Sequence, residues 1–281
     1  MTNKNELTDF ITRAFREDVG DGDYSSLASV DQGRKGKARL LAKESGVLAG
    51  LRVAQEVFRV ADPSLELTVL ASDGDRITPG MVLMTVQGEE RSILMAERLV
   101  LNIIQRMSGI ATTTAEYVKK VEGTGAMIID TRKTTPGMRF LEKEAVRIGG
   151  GTNHRMGLYD MIMLKDNHID YAGGITAAIN RTKEYLLKNG LNLKIEVESR
   201  SLNDVREILK TGGVDRIMLD NFSVPLTAEA VKIIDGRTET ESSGGITLVN
   251  VRDYAECGVD FISIGALTHH IKSLDLSLKA F

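Results

Sequence analysis

The chain has 281 residues, 42% hydrophobic and 27% charged, which is enough apolar material for a large buried core and excludes a disordered chain. Its 36 basic and 39 acidic side chains leave a formal net charge of -3, so no bulk electrostatic pull toward nucleic acid or a membrane surface is expected and any anion site must be local. A single cysteine, Cys257, excludes an intrachain disulfide and a cysteine-based metal cluster; with no signal-peptide core in Met1 to Phe10 and no long apolar run, a cytoplasmic protein without a membrane span is expected.

Leu7, Phe10, Ile11, Ala14 and Phe15 recur at helical spacing, and the turn residues Gly20 to Asp23 end that pattern. The Asp-rich stop lacks the ligand spacing and closing glutamate of a calcium loop, so it reads as a turn. From Lys37 to Gly88, apolar segments (Ala38 to Ala42, Leu65 to Leu70, Met81 to Val86) alternate with glycine turns around a helical stretch from Leu51 to Ala61, as in a small α+β domain. A longer helix is expected from Arg91 to Met107, with Met95, Leu99, Val100, Ile103 and Met107 on its apolar side. Arg98, Asn102 and Arg106 share another side of it, which on pattern alone is a solvated face.

After Gly125, short β-rich runs alternate with helical patterns. Strands are expected at Met127 to Asp130, Met161 to Lys165, Lys194 to Glu198, Arg216 to Asp220, Thr238 to Glu241 and Phe261 to Gly265, with helices including Ile175 to Leu187, Leu202 to Thr211 and Leu248 to Cys257. Repeated βα units of this kind favour a closed or nearly closed α/β barrel, and the absence of GxGxxG after the first strand argues against a dinucleotide fold.

Barrels place their sites at the carboxyl ends of the strands, and here those ends are polar in succession: Asp130 to Lys133, Lys165 to Asn167, Glu196 and Glu198, Asp220 and Asn221, Glu241 to Ser243, Ser263 and Gly265. That pattern marks a catalytic rim rather than the solvation of loops. Ser242-Ser-Gly-Gly245 and Gly265-Ala-Leu-Thr-His269 follow the last two strands, where barrels hold phosphate against backbone N–H groups, although either could serve only as a tight turn. Arg132, Lys133, Arg139, His154, Arg155 and Lys165 form a second constellation, and like charges brought together need an anionic ligand to offset them. Glu198 and Asp220 suit Mg²⁺ bridging a pyrophosphate; they equally suit ion pairs to those cations, and spacing alone does not separate the two.

At these residues the chain resembles the carboxylating nicotinate-nucleotide pyrophosphorylases, the quinolinate phosphoribosyltransferases. The similarity lies in DTRKTTPGMR at Asp130 to Arg139, RIGGGTNHRMGLYDMIMLKDNHI at Arg147 to Ile169, EVE at Glu196 to Glu198, MLDNF at Met218 to Phe222, ESSGGI at Glu241 to Ile246 and IGALTH at Ile264 to His269. It extends to EDVGDGD near the start and SGIAT at Ser108 to Thr112.

The resemblance implies an open α/β barrel with an N-terminal α+β sandwich domain. It places the sandwich at residues 1–108 and the phosphoribosyltransferase barrel at 109–268, with a segment 269–281 packing back on the first domain. It implies transfer of phosphoribosyl from phosphoribosyl pyrophosphate to quinolinate, with decarboxylation, in a homodimer or homohexamer with shared sites. Arg132, His154, Arg155 and Lys165 would hold the quinolinate carboxylates, joined by Arg98 of the partner subunit, which overturns the solvated-face reading. Lys133 and His269 would contact phosphoribosyl pyrophosphate, Glu198 and Asp220 would face Mg²⁺ and ribose with Lys133 as catalytic partner, and Ser243, Gly244 and Gly265 would surround the 5-phosphate. The choice between Glu196 and Glu198 stays open.

Other readings are a Schiff-base aldolase using Lys165, a carrier hairpin at Asp73 to Gly80, and a paralogue of the same fold associated with molybdate transport. The hairpin has no lysine at its tip, and the complete cation set favours quinolinate.

Overall fold

The computed structural model describes residues Lys4–Phe281 and divides into two compact units. The first comprises residues up to Ala115 together with Thr135–Gly150 and His270–Phe281; the second comprises Glu116–Thr134 and Gly151–His269.

The first unit opens with helix α1, Lys4–Val19, which buries Leu7 and Ile11 one turn apart. Helix α2, Tyr24–Ser29, is capped by Asp23, whose carboxylate accepts from the Ser26 N–H at 3.1 Å. This short helix was not expected from the sequence. Strands β1 (Lys35–Ala42) and β2 (Gly46–Val47) lead to α3 (Leu51–Ala61), which buries Val53, Ala54, Val57 and Phe58. Strands β3 (Glu66–Val69), β4 (Arg76–Ile77) and β5 (Val82–Glu89) follow.

Helix α4 runs from Glu90 to Val121, 32 residues, continuing well past the end expected at Met107. The glycine and threonines that look like a stop are accommodated by packing: Ile110 and Ala111 are fully buried, and the Thr112 and Thr114 hydroxyls donate to the carbonyls of Ser108 and Ile110 one turn back.

The second unit starts its sheet with β6 (Met127–Ile129), after which α5 (Arg139–Ile148) belongs to the first unit. Then come β7 (Ile162–Leu164), α6 (Asp166–Ala172), α7 (Ile175–Asn189), β8 (Ile195–Ser199), α8 (Leu202–Thr211) and β9 (Arg216–Asp220). The set ends with α9 (Val224–Ile234), β10 (Glu239–Ser243), α10 (Val251–Glu256), β11 (Phe261–Ser263) and α11 (Ala266–His269). The six strands pair in parallel in the order β6-β11-β10-β9-β8-β7, so the first strand lies beside the last and the sheet is open between β6 and β7. Only an isolated bridge from Ile129 to Thr152 extends it on that side among the described residues.

Strand β12 (Leu276–Ala280) pairs antiparallel with β1 in the first unit, giving a four-stranded sheet in the order β12-β1-β5-β3. By contact the chain divides within α4, after Ala115, and α5 sits with the first unit although it follows β6 in the chain.

Gly109 lies within α4, where alanine is intrinsically favoured by about 1 kcal/mol. A Cβ there would stand 2.3 Å from the Lys272 carbonyl oxygen, a backbone atom of the returning C-terminal segment. Overpacking of that kind costs about 1–3 kcal/mol, so Gly109→Ala is expected to lower stability against urea despite the better helix former. A stability gain would show that the segment before β12 gives way freely.

Candidate active site

The strand alternation determines what faces the interior of the parallel sheet. On β8, Glu196 and Glu198 are two residues apart and share a face; Glu196 is level with Arg216 on β9, and Glu198 is level with Met218. Interiors of such barrels are ordinarily filled by branched apolar side chains. Here a cavity of 300 Å³ opens at the carboxyl ends of the strands. Thr131, Arg132 and Lys133 line it after β6, His154 and Arg155 line it before β7, and Met163 and Lys165 line it from β7. Its remaining wall is Glu198, Met218, Asp220, Glu241, Ser243 and Ser263. Glu196 lies outside that wall and is fully buried, so Glu198 is the cavity carboxylate of the pair.

The loop that brings in His154 and Arg155 is tied down by Asp130, a fully buried carboxylate at the end of β6. It accepts from Asn153 Nδ2 at 2.6 Å and from the His154 N–H at 2.9 Å. Arg155 then donates to the Met161 carbonyl at 3.1 Å. Burial, and next the Arg132 guanidinium, lower its pKa, against the weaker pull of Glu196 and Asp160. The buried Nε of Arg132 has no hydrogen-bond partner among the described residues. Two guanidinium groups beside one another, one with an unspent buried donor, leave the cavity ready for a planar dianion.

At the opposite wall, burial raises the Glu198 pKa and the neighbouring Asp220 carboxylate raises it further, while Lys165 opposes both. The turns after β9 and β10 interlock: the Asn221 N–H donates to the Ser243 carbonyl at 2.8 Å. Gly244 has φ +95° and lies so close to Asn221 that a Cβ would meet its Oδ1 at 2.2 Å. After β11, Gly265 packs against Lys133 and His269, and Thr268 Oγ1 donates to the Lys133 carbonyl at 2.7 Å.

His154, in the cavity wall, is also engaged by two buried glutamates. Its Nε2 lies 2.9 Å from Glu196 Oε2 and 3.3 Å from Glu241 Oε2, with a side chain only 4% exposed. Its Nδ1 accepts from the Arg155 N–H at 2.6 Å. Burial disfavours a charged imidazole, but the two glutamates outweigh it and push the pKa up to about 9. The Arg155 N–H aimed at Nδ1 and the two carboxylates beside Nε2 both favour a proton on Nε2. The same Glu241 oxygen receives Arg216 Nη1 at 3.1 Å, so a cation already occupies the place that His154, Glu196 and Glu241 could offer a metal.

Of the other residues singled out in the sequence, Gly244, Gly265 and His269 flank the cavity without lining it, Arg139 opens α5 in the first unit, and Arg98 is exposed on α4. Arg106, grouped with Arg98 by spacing, turns to the buried Glu142 at 2.7 Å and to Thr135. Sequence reasoning passed over Arg216, a buried arginine at the start of β9, and did not separate Glu241 from the rim residues around it.

Residues 110–279 match the family model "Quinolinate phosphoribosyl transferase, C-terminal domain" and residues 23–108 match the corresponding N-terminal domain. A tobacco (Nicotiana tabacum) protein named quinolinate phosphoribosyltransferase [decarboxylating] 1b is 46% identical over 289 residues, covering 98% of this chain and 82% of the relative. The Arabidopsis thaliana nicotinate-nucleotide pyrophosphorylase [carboxylating], chloroplastic, is 45% identical over 289 residues with the same coverage of both chains. A solved nicotinate-nucleotide pyrophosphorylase from Francisella tularensis superposes with a TM-score of 0.94 at 37% identity, covering 100% of this chain and 98% of that one. No helix among the described residues is long and apolar enough to cross a membrane. The chain belongs to the quinolinate phosphoribosyltransferase family.

Proposed function

We propose that the rim cavity of the second unit is where this enzyme joins quinolinate to phosphoribosyl pyrophosphate, releasing pyrophosphate and carbon dioxide and leaving nicotinate mononucleotide for NAD synthesis. The observation that carries this reading is the grouping of Arg132, Lys133, Arg155 and Lys165 around one cavity whose other wall is Glu198 and Asp220. A dianionic pyridine and a pyrophosphate ester are the kind of ligands that neutralise four such cations. Lys165 is exposed rather than buried, which does not favour the Schiff-base alternative.

Arg132, Arg155 and Lys165 take the quinolinate carboxylates and present the ring nitrogen to the ribose C1. The C1–O bond to pyrophosphate breaks as the nitrogen lone pair forms the new bond, through an oxocarbenium-like transition state that Glu198 and Asp220 face from the ribose side. Lys133 offsets the charge gathering on the departing pyrophosphate. The quaternary nitrogen then stabilises the electron pair left on the ring carbon when the adjacent carboxylate departs as carbon dioxide, and that carbon takes up a proton. Ser243, Gly244, Gly265 and His269 supply the phosphate side of the site.

Glu198 and Asp220 also fit Mg²⁺: they are hard oxygen donors, burial and then the Asp220 charge hold Glu198 above its usual range, and a divalent cation would offset that charge. When bound, Mg²⁺ supplies positive charge to the pyrophosphate group. The exposed position of Arg98 supports a homodimer or larger assembly in which it completes the partner's site. We also assign the enzyme to the cytoplasm, in keeping with its one free cysteine, whereas the Arabidopsis relative is named chloroplastic.

Incubation with quinolinate, phosphoribosyl pyrophosphate and Mg²⁺ is expected to form nicotinate mononucleotide, and nicotinate, lacking the second carboxylate, is expected to be a very poor substrate because cations are left unpaired. Comparable turnover of nicotinate would overturn the assignment of the pocket. Arg155→Ala is expected to raise the quinolinate KM far more than that of phosphoribosyl pyrophosphate, through loss of a charge-assisted contact of about 1.5–3 kcal/mol. Equal losses for both substrates count against that role. Arg98→Ala and Lys133→Ala proteins, each inactive, are expected to recover up to about a quarter of the unaltered activity when their subunits exchange, since half of random dimers are mixed and half of their sites are intact. Demonstrated exchange without recovery would place Arg98 outside the partner's site.

A further inference from the structure

From the floor of the cavity, where Glu241 forms part of the wall, downward, the interior of the sheet carries charge where apolar packing is the rule. Arg216 bridges Glu239 and Glu241 at 3.1 Å each and stacks 3.7 Å over the Phe261 ring. Glu241 and Glu196 are fully buried, and each approaches His154 Nε2. Nε2 thus faces two carboxylate oxygens at 2.9 and 3.3 Å, with neither approach a straight hydrogen bond. Buried carboxylates at such distances are costly unless the cations and donors around them stay in place. The imidazole is therefore held in orientation by the Arg155 N–H at one ring nitrogen and the two carboxylates at the other.

We propose that Glu241 is a positioning residue for quinolinate, which with Glu196 and Arg216 fixes the His154 imidazole and, through the Arg155 N–H held at Nδ1, sets where the Arg155 guanidinium meets the substrate. The connection is short in the chain and in space. Nδ1 holds the backbone of Arg155 at 2.6 Å, the Arg155 side chain is braced on the Met161 carbonyl, and Asp130 pins the His154 N–H from the other side. His154 then acts through Arg155, and the substrate carboxylates are met by arginine and lysine alone. Arg216 keeps Glu241 from turning away by holding the oxygen that faces His154. The inference rests on the reading that Arg155 receives a quinolinate carboxylate.

Three variants and one spectroscopic measurement test it. Glu241→Ala removes the acceptor and is expected to raise the quinolinate KM about tenfold or more while the KM for phosphoribosyl pyrophosphate stays within about twofold. Glu241→Gln keeps an oxygen for the Nε2 proton and for Arg216, and is expected to restore the quinolinate KM to within about threefold of the unaltered enzyme. Parallel losses for both substrates in Glu241→Ala, or a Gln variant as impaired as the Ala variant, would overturn the proposal. Arg155→Ala in the same assay separates the two layers of argument: if it leaves the quinolinate KM unchanged, the carboxylate role of Arg155 fails, whatever Glu241 does. Nitrogen NMR of the unaltered enzyme labelled with ¹⁵N-histidine decides the matter even if Glu241→Ala does not fold. His154 is expected to show a protonated Nε2 and an unprotonated Nδ1, unmoved by saturating quinolinate. A large displacement of the Nε2 signal on quinolinate binding would make His154 a direct ligand and overturn the proposal.

Discussion

The ion pairs of Arg216 with Glu239 and Glu241 set a constraint that the rest of the second unit obeys. Taking the guanidinium and the Glu241 carboxylate out of water costs several kcal/mol per ion, while Glu239 stays partly in water, and the cost is recovered only where geometry and further hydrogen bonds are good. Phe261 covers one face of the guanidinium, and the two carboxylates take its edge. With Arg216 fixed, Glu241 has one oxygen committed, and the remaining negative charge of the layer is turned toward His154 and the loop that carries it. An apolar interior of equal volume would pack as well, but it would give that loop nothing to orient against.

The cation-rich rim above follows from the same electrostatics with opposite sign. Burial and then the neighbouring Arg132 guanidinium disfavour the charge on Arg155, and the Nε of Arg132 is buried with its donor unspent. Such a site is strained when empty and relieved by an anion, which makes binding and selectivity two aspects of one interaction. Glu198 and Asp220 provide the complementary wall. Burial and then the Asp220 charge hold the Glu198 pKa above its usual range, so positive charge brought to that wall is favoured. The cavity thus has walls of opposite charge facing one another.

How much of this could be read in the sequence depends on the range of the interactions involved. Strand β9 is where Arg216 to Asp220 place it, because a parallel strand covered on both faces is written as a local apolar run. Strand β10 extends two residues beyond its expected end because Ser242 and Ser243 look like loop, yet they pair in register with Leu219 and Asp220, and that partner lies more than twenty residues away in the chain. Helix α4 outruns its apparent stop for a similar reason, since burial of Ile110 and Ala111 outweighs the weak propensity of the threonines that follow. Helix α5 was overlooked although Leu141, Ala145 and Ile148 repeat at helical spacing; the motif it overlaps drew the reading toward its charges.

The site shows the same division between what spacing conveys and what only register conveys. A period of two puts Glu196 and Glu198 on one face, and nothing local tells which is deeper. Depth comes from pairing: Glu198 is level with Met218 at the cavity, and Glu196 with Arg216 one layer down. That one step changes the chemistry. The upper carboxylate is half of an acidic wall that can meet a metal or a ribose, whereas the lower one, out of reach of any ligand, can act only on its neighbours. Residues that resemble each other in sequence therefore separate into one that lines the cavity and one that is buried beneath it, and the dividing factor is whether water can reach the oxygen atoms.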